Sequence, residues 1–174
     1  MTLGLDRERV VVEPYDPGWR EAYEREVDRL DALVGDRVET FEHVGSTAVE
    51  GLPAKPIIDM LAVVKDVETA RDLVPTLEAN GYEYRPKDDE SERLHCSKGP
   101  PETRTHYLKL VERDTAFHRE TVAFRDHLRE NPRDADLYAA LKYELADRHA
   151  EDRDAYTEAK AGFIEDVLVD ALND

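Results

Sequence analysis

The residues whose types and spacing could do chemistry gather in one stretch, His43-Val44-Gly45-Ser46-Thr47 followed by Lys55-Pro56-Ile57-Ile58-Asp59. Glycine lets a backbone approach a phosphate closely, and the N–H groups and hydroxyls of Gly45-Ser46-Thr47 are donors for its oxygens. Lys55 supplies a cation, for that anion or for Asp59. Asp59 is the sharper signal. It is the single charge in Ile57–Val64, a run with apolar residues on both faces that reads as a strand in the middle of a sheet. Burying an unpaired carboxylate costs several kcal/mol, so Asp59 calls for a cation, a metal ion or a proton.

A second group lies later, in Arg104-Thr105-His106-Tyr107-Leu108-Lys109. Alternation along a strand puts Arg104 and His106 on one face and Tyr107 and Lys109 on the other. His43, His106 and Asp59 would suit a transition metal and hydrolytic chemistry if they converged, which spacing alone leaves open. His95, His118, His127 and His149 carry no pattern and read as surface or capping residues. The chain has neither a Ser-His-Asp order nor a His-Glu-x-x-His helix.

The elements that must position these residues follow from periodicity. Residues 1–9 read as loose, and Val10–Glu13 as a short strand stopped by Pro14. A helix from Asp16-Pro17 to Val34 has Trp19, Tyr23, Val27, Leu30 and Val34 inward, and Gly35 closes it. Strands follow at 38–44 and 57–64, then a helix over 66–80 with Pro75 as a potential break. Short strands are expected at 82–85, 93–97 and 104–112, the last two joined by a turn through Gly99-Pro100-Pro101, with a solvated charged loop at 87–91. Three helices close the chain, over about 115–130, 133–150 and 153–172, the middle one with Leu137, Leu141 and Leu145 inward. Strands first and helices last predict an α+β fold, with residues 1–174 as a single domain.

Composition narrows the class. No apolar run approaches the roughly 18 residues of a membrane span, and no signal peptide is expected. The one cysteine, Cys96, precludes an internal disulfide. A cytoplasmic protein without membrane association is expected. Acidic residues number 41 against 24 basic, a formal net charge of −17, and only seven of the 24 are lysine. Such acid excess resembles proteins of salt-saturated, halophilic cytoplasm, where a Debye length of roughly 3 Å screens surface repulsion. With no basic stripe to displace counterions, duplex nucleic acid is excluded as a partner.

Taken together, His43-Val44-Gly45-Ser46-Thr47, Gly51-Leu52, Lys55-Pro56-Ile57-Ile58-Asp59, Arg104-Thr105-His106 with Leu108, and Tyr156 with Lys160 and Phe163-Ile164 resemble the GrpB family over about residues 10–165. That family is grouped with the nucleotidyltransferases of the DNA polymerase β type, and it is sometimes fused to dephospho-coenzyme A kinase. The resemblance implies a mixed β-sheet with flanking helices and a C-terminal helical segment, holding a nucleotide or other phosphorylated small molecule. It assigns Gly45, Ser46, Thr47, Lys55, His43, Arg104, His106, Lys109, Tyr156 and Lys160 to ligand binding. Asp59 becomes the catalytic carboxylate that binds Mg2+. The superfamily pairs that aspartate with a second, two residues on, and with a third carboxylate on a later strand. Here the second position is Leu61, the later strand offers His106, Tyr107 and Lys109, and only Glu112 is acidic there. Lys109 also departs from the histidine that GrpB proteins often carry. The implied chemistry is nucleotidyl transfer with Mg2+, with Arg104 or Lys109 offsetting developing charge. Leu61 favours the alternative, a module that binds such a ligand without turnover.

Overall fold

The computed structural model describes residues 2–6 and 8–173. Its centre is a five-stranded mixed sheet in the order β1-β2-β5-β4-β3. The strands are β1 Thr40–Val44, β2 Ile58–Val64, β3 Tyr82–Tyr84, β4 Arg93–Lys98 and β5 His106–Glu112. β2 and β5 run parallel, with Asp59 opposite Tyr107 and Leu61 opposite Lys109, and the other pairings are antiparallel. A parallel pair needs a crossover, and here the crossover carries a helix, β3 and β4. Burial of β2 on both faces at the sheet's centre accounts for its unbroken apolar run, and the fold is α+β as the sequence predicts.

Two helices, α1 Gly18–Val34 and α2 Val67–Glu78, cover one face. There Ile58, Met60, Ala62 and Val64 pack with Leu108 and Leu110 against Trp19, Leu30, Leu73 and Leu77. Asp66 caps α2 by accepting from the Thr69 amide and hydroxyl, and Pro75 sits inside α2 without ending it. On the opposite face Val44, Leu61, Val63 and Val111 meet Phe117 and Val122 of α3, Ala116–Glu130. Two further helices, α4 Pro132–Arg148 and α5 Arg153–Asn173, pack beside α3 and close that side.

Several expectations need correction. Val10–Glu13 forms no strand; only a single bridge joins Glu13 to Ala54, because Pro14 stops the pairing there. Of the residues before it expected to be loose, Leu5 bridges Arg104 and is buried with Ile57 and Tyr107, while Met1 and Arg7 lie outside the described residues. The 87–91 loop is solvated as expected at Lys87, Asp88, Glu90 and Ser91, while Asp89 is engaged, accepting from the His95 amide and the Tyr84 hydroxyl. In α4 the inward face is Tyr138, Lys142 and Leu145, while Leu137 is 54% exposed. The leucine spacing marks an edge of that helix, and a tyrosine and a lysine occupy its centre.

Candidate functional site

A cavity of about 410 Å3 lies between the Asp59 face of the sheet and helices α3, α4 and α5. β1 delivers Val44 and the Gly45-Ser46 turn to its rim, β2 delivers Asp59, and β5 delivers Tyr107 and Lys109. Gly45 has φ +71°, and a methyl group on its α-carbon would lie 2.7 Å from Asp59 Oδ2. The glycine is therefore required by the aspartate, whose carboxylate packs against the turn's backbone. Ser46 and Tyr138 both line the cavity, and Tyr138 stacks on Phe163 at 5.1 Å.

Four lysines surround that single aspartate: Lys55 from the loop before β2, Lys109 from β5, Lys142 from α4 and Lys160 from α5. They are four of the seven lysines in the chain. Lys142 is 2% exposed, and its Nζ donates to the Pro53 carbonyl at 2.6 Å. Lys142 and Lys160 each follow a tyrosine by four residues, one helical turn, and each ammonium stands over that ring, at 5.2 and 4.5 Å from its centre. Tyr156, fully buried, also has Lys55 Nζ at 5.8 Å, so this ring supports two of the four cations from behind the cavity. Arg153 adds a fifth positive side chain and Glu120 a second acid at the margin.

Crowding of like charge in a poorly hydrated space favours neutral ammonium groups. Burial, then the charges of Lys55 and Arg153, bring Lys160 down to about 7 against the pull of Asp59. Burial with Lys160 and Lys55 puts Lys142 well below an ordinary lysine, and Lys55 and Lys109 are lowered in the same sense, chiefly by burial. Among the described residues no lysine nitrogen comes within 4.0 Å of the Asp59 carboxylate, so no lysine is spent on a close ion pair with it. Phe117, Phe124, Ile164 and Leu168 give the cavity an apolar stretch of wall.

The family model for GrpB protein matches residues 9–170. The chain belongs to the GrpB family. A UPF0157 protein of Pseudomonas aeruginosa is 37% identical over 170 residues, 96% of this chain and 69% of that protein. The crystal structure of conserved protein GrpB from Enterococcus faecalis superposes with a TM-score of 0.86 at 37% identity, covering 94% of this chain and 98% of that one. Cid1 poly(U) polymerase in its Mg 3'-dATP-bound structure shares the fold at a TM-score of 0.57 and 14% identity, over 85% of this chain and 49% of that one. The GrpB chain thus has a nucleotidyltransferase-like fold.

Of the residues assigned from the sequence, Gly45, Ser46, Thr47, Lys55, Asp59, Lys109 and Lys160 line the cavity, and Tyr156 supports it. Three do not converge there. His43 alternates to the α1 face of β1, where its ring stacks on Tyr23 at 4.4 Å and bonds the Thr47 hydroxyl at 2.9 Å. It borders a separate cavity of about 650 Å3 whose charges are mixed, Arg20 and Arg129 with Glu24, Glu50 and Asp136. His106 shares the buried face of Leu108, across the sheet from Asp59; its Nδ1 bonds the Thr105 hydroxyl and its Nε2 has no partner among the described residues. Arg104 precedes β5 and gives its guanidinium to the Gly99 carbonyl and Glu83, beside a small cavity of about 180 Å3 that adjoins the first. Burial holds His43 at about 3 and His106 at about 4. The histidine-and-aspartate metal site is thereby ruled out by the alternation of β1 and β5, which sends both rings to the wrong face.

Magnesium on Asp59 fares little better. Among the described residues no group of three His, Cys, Asp or Glu could hold a metal ion. Leu61 and Lys109, paired neighbours on the Asp59 face, offer a methyl-branched chain and an ammonium where a hard cation needs oxygens. The donor set does not fit a resident magnesium pair. The sequence reading also missed Lys142, Arg153, Tyr138 and His95. His95 is 8% exposed and lines the cavity, its Nε2 bonded to Ser97 at 3.1 Å. Lys142 had a legible signal, a lysine on the buried stripe of an amphipathic helix.

Proposed function

We propose that the GrpB chain binds a nucleotide or another phosphorylated small molecule in the Asp59 cavity, as a ligand-binding module of nucleotidyltransferase-like fold. One observation carries this reading. A protein with a net charge of −17 collects four of its seven lysines in one half-enclosed cavity with a single aspartate among them. Holding those ammonium groups together is costly in the absence of an anion, and active sites commonly trade stability for function in this way. The phosphate lies among the lysines, where charge-assisted hydrogen bonds are strongest, and the organic part lies along Phe117, Phe124 and Ile164. No helix among the described residues is long and apolar enough to cross a membrane. A phosphorylated metabolite as ligand fits a cytoplasmic protein.

Nucleotidyl transfer is the second reading. The Gly45-Ser46 turn packed on Asp59 and the likeness to the Cid1 fold favour it, while the lack of a donor set for magnesium weighs against it. Titration calorimetry with ATP, UTP and the unphosphorylated nucleosides tests the binding reading. Nucleotides should bind and nucleosides should not, and Lys142→Met should weaken nucleotide binding by about tenfold or more. Equal affinity for nucleoside and nucleotide would sink the proposal. Pyrophosphate released on incubation with nucleotide would move the conclusion to transfer.

A further inference from the structure

The same cavity carries a more specific conclusion about the form in which its ligand arrives. This inference rests on the reading of the cavity as a phosphate site. We infer that the cavity takes a polyanion of the triphosphate class in its metal-free form, with lysine ammonium groups neutralising the charge that magnesium neutralises in solution. Three features converge on it.

The first is the number of lysines facing the cavity. Lys55, Lys109, Lys142 and Lys160 line it together. Four ammonium groups carry more N–H donors than the three terminal oxygens of a single phosphate monoester can accept from, and a triphosphate supplies the further oxygens. The second is the character of the positions next to Asp59. A divalent cation on Asp59 would look for further oxygens from Leu61 and Lys109, and would find a buried apolar chain and a like charge. Placing a doubly charged ion beside four ammonium groups costs Coulomb energy that one carboxylate does not return. The third is the origin of the lysines. They come from four separate elements, a loop, β5, α4 and α5, so they surround the cavity and can contact a chain of phosphates along its length.

Asp59 then acts as a brake on anion affinity, and this gives the inference an opposite sign from metal binding. Titration of inorganic triphosphate, orthophosphate and ATP into the whole protein, in EDTA and in excess Mg2+, reads it directly. Expected is triphosphate binding in EDTA at least about tenfold tighter than orthophosphate, and about as much tighter than in excess Mg2+, since chelation removes the charge the lysines recognise. Asp59→Asn should tighten metal-free triphosphate binding several-fold. Should that variant not fold, Lys109→Gln gives the complementary result, weaker binding in EDTA and a smaller preference over orthophosphate. ATP equal to inorganic triphosphate would identify the phosphate chain alone as the ligand, and ATP tighter would add the apolar wall; both support the inference. Binding that requires Mg2+, or that Asp59→Asn abolishes, overturns it while leaving a phosphate site in place. No binding of any of the three anions, with or without Mg2+, overturns both it and the phosphate reading.

Discussion

Glu26 and Asp59 stand on opposite sides of one sheet, and each is a carboxylate among cations. Around Glu26 every charge is answered. Arg29 donates to it at 2.8 and 3.2 Å, Lys98 at 2.6 Å and the Tyr82 hydroxyl at 2.9 Å. Burial alone would raise its pKa, yet these three partners hold it down at about 2. Around Asp59 the proportions reverse: four lysines share Asp59 and, at the margin, Glu120, and among the described residues only Lys142 of the four has a short hydrogen bond, to a backbone carbonyl. A buried polar network with all partners present is what a fold retains for its own sake. An excess of one sign, held at a cost and facing an open cavity, waits for something else. The contrast separates a structural carboxylate from a functional one more clearly than residue type does.

The contrast breaks most sharply on stability. Glu26→Gln leaves the partly exposed Lys98 and Arg29 short of a partner and removes a charge whose pKa the site holds at about 2 against an ordinary 4.5, so it should destabilise by about 3–4 kcal/mol. The pH dependence follows from the lowered pKa. The stability that Glu26 contributes is complete above its ordinary value of 4.5 and is lost as pH falls toward about 2. Urea unfolding of the parent should therefore weaken across that window, and the Gln variant should lack that component. A variant as stable as the parent at pH 7 would remove Glu26 from the structural side of the comparison.

A smaller effect of opposite sign is expected across the sheet. Lys160→Met removes a cation from a crowd of cations, and should stabilise the ligand-free protein at pH 6 by about 2–4 kcal/mol. Below about 7 Lys160 is charged in both folded and unfolded chains, so its cost is fully present. As pH rises from about 7 toward its ordinary 10.5, the unfolded chain keeps a proton that the folded one has released, and the parent gains stability. The gap between the two proteins should close by about pH 10 when their unfolding is compared in urea. Destabilisation by this substitution would make Lys160 a structural cation like Lys98.

What the sequence disclosed, and what it withheld, has the same physical division. β2 and the helices were legible because burial imposes a period on the chain, and Asp59 stood out because it violates that period. The Gly45-Ser46 turn was legible too, although the glycine's reason is the carboxylate packed on it. The lysine crowd was not. Lys55, Lys109, Lys142 and Lys160 lie up to 105 residues apart (160 − 55), and only the packing of α4 and α5 over the sheet brings them together. Lysine is ordinarily a surface residue, so no local pattern distinguishes Lys142 from Lys87 except the helical stripe it interrupts. His43 and His106 erred in the other direction. Their residue type suggested chemistry, and the parity of their strand positions decided against it.

The smallest effect tests that last point. His43 stacks on Tyr23 and bonds Thr47, whose own side chain borders both cavities. Burial, with Arg129 and Arg125 nearby, keeps the imidazole neutral down to about pH 3, so it offers no cation to a phosphate at neutral pH. His43→Phe preserves an aromatic ring on Tyr23 and removes one buried hydrogen bond, leaving the Thr47 hydroxyl unpaired. A loss of about 1–2 kcal/mol in stability is expected. Adding Thr47→Val should restore most of it, because removing both partners of a bond costs far less than removing one. Affinity for inorganic triphosphate should be the same in the parent and in His43→Phe, as the ring lies across the sheet from Asp59. If that affinity falls tenfold while stability moves only slightly, His43 belongs to the ligand site, and the division between the two faces fails at the one loop that touches both.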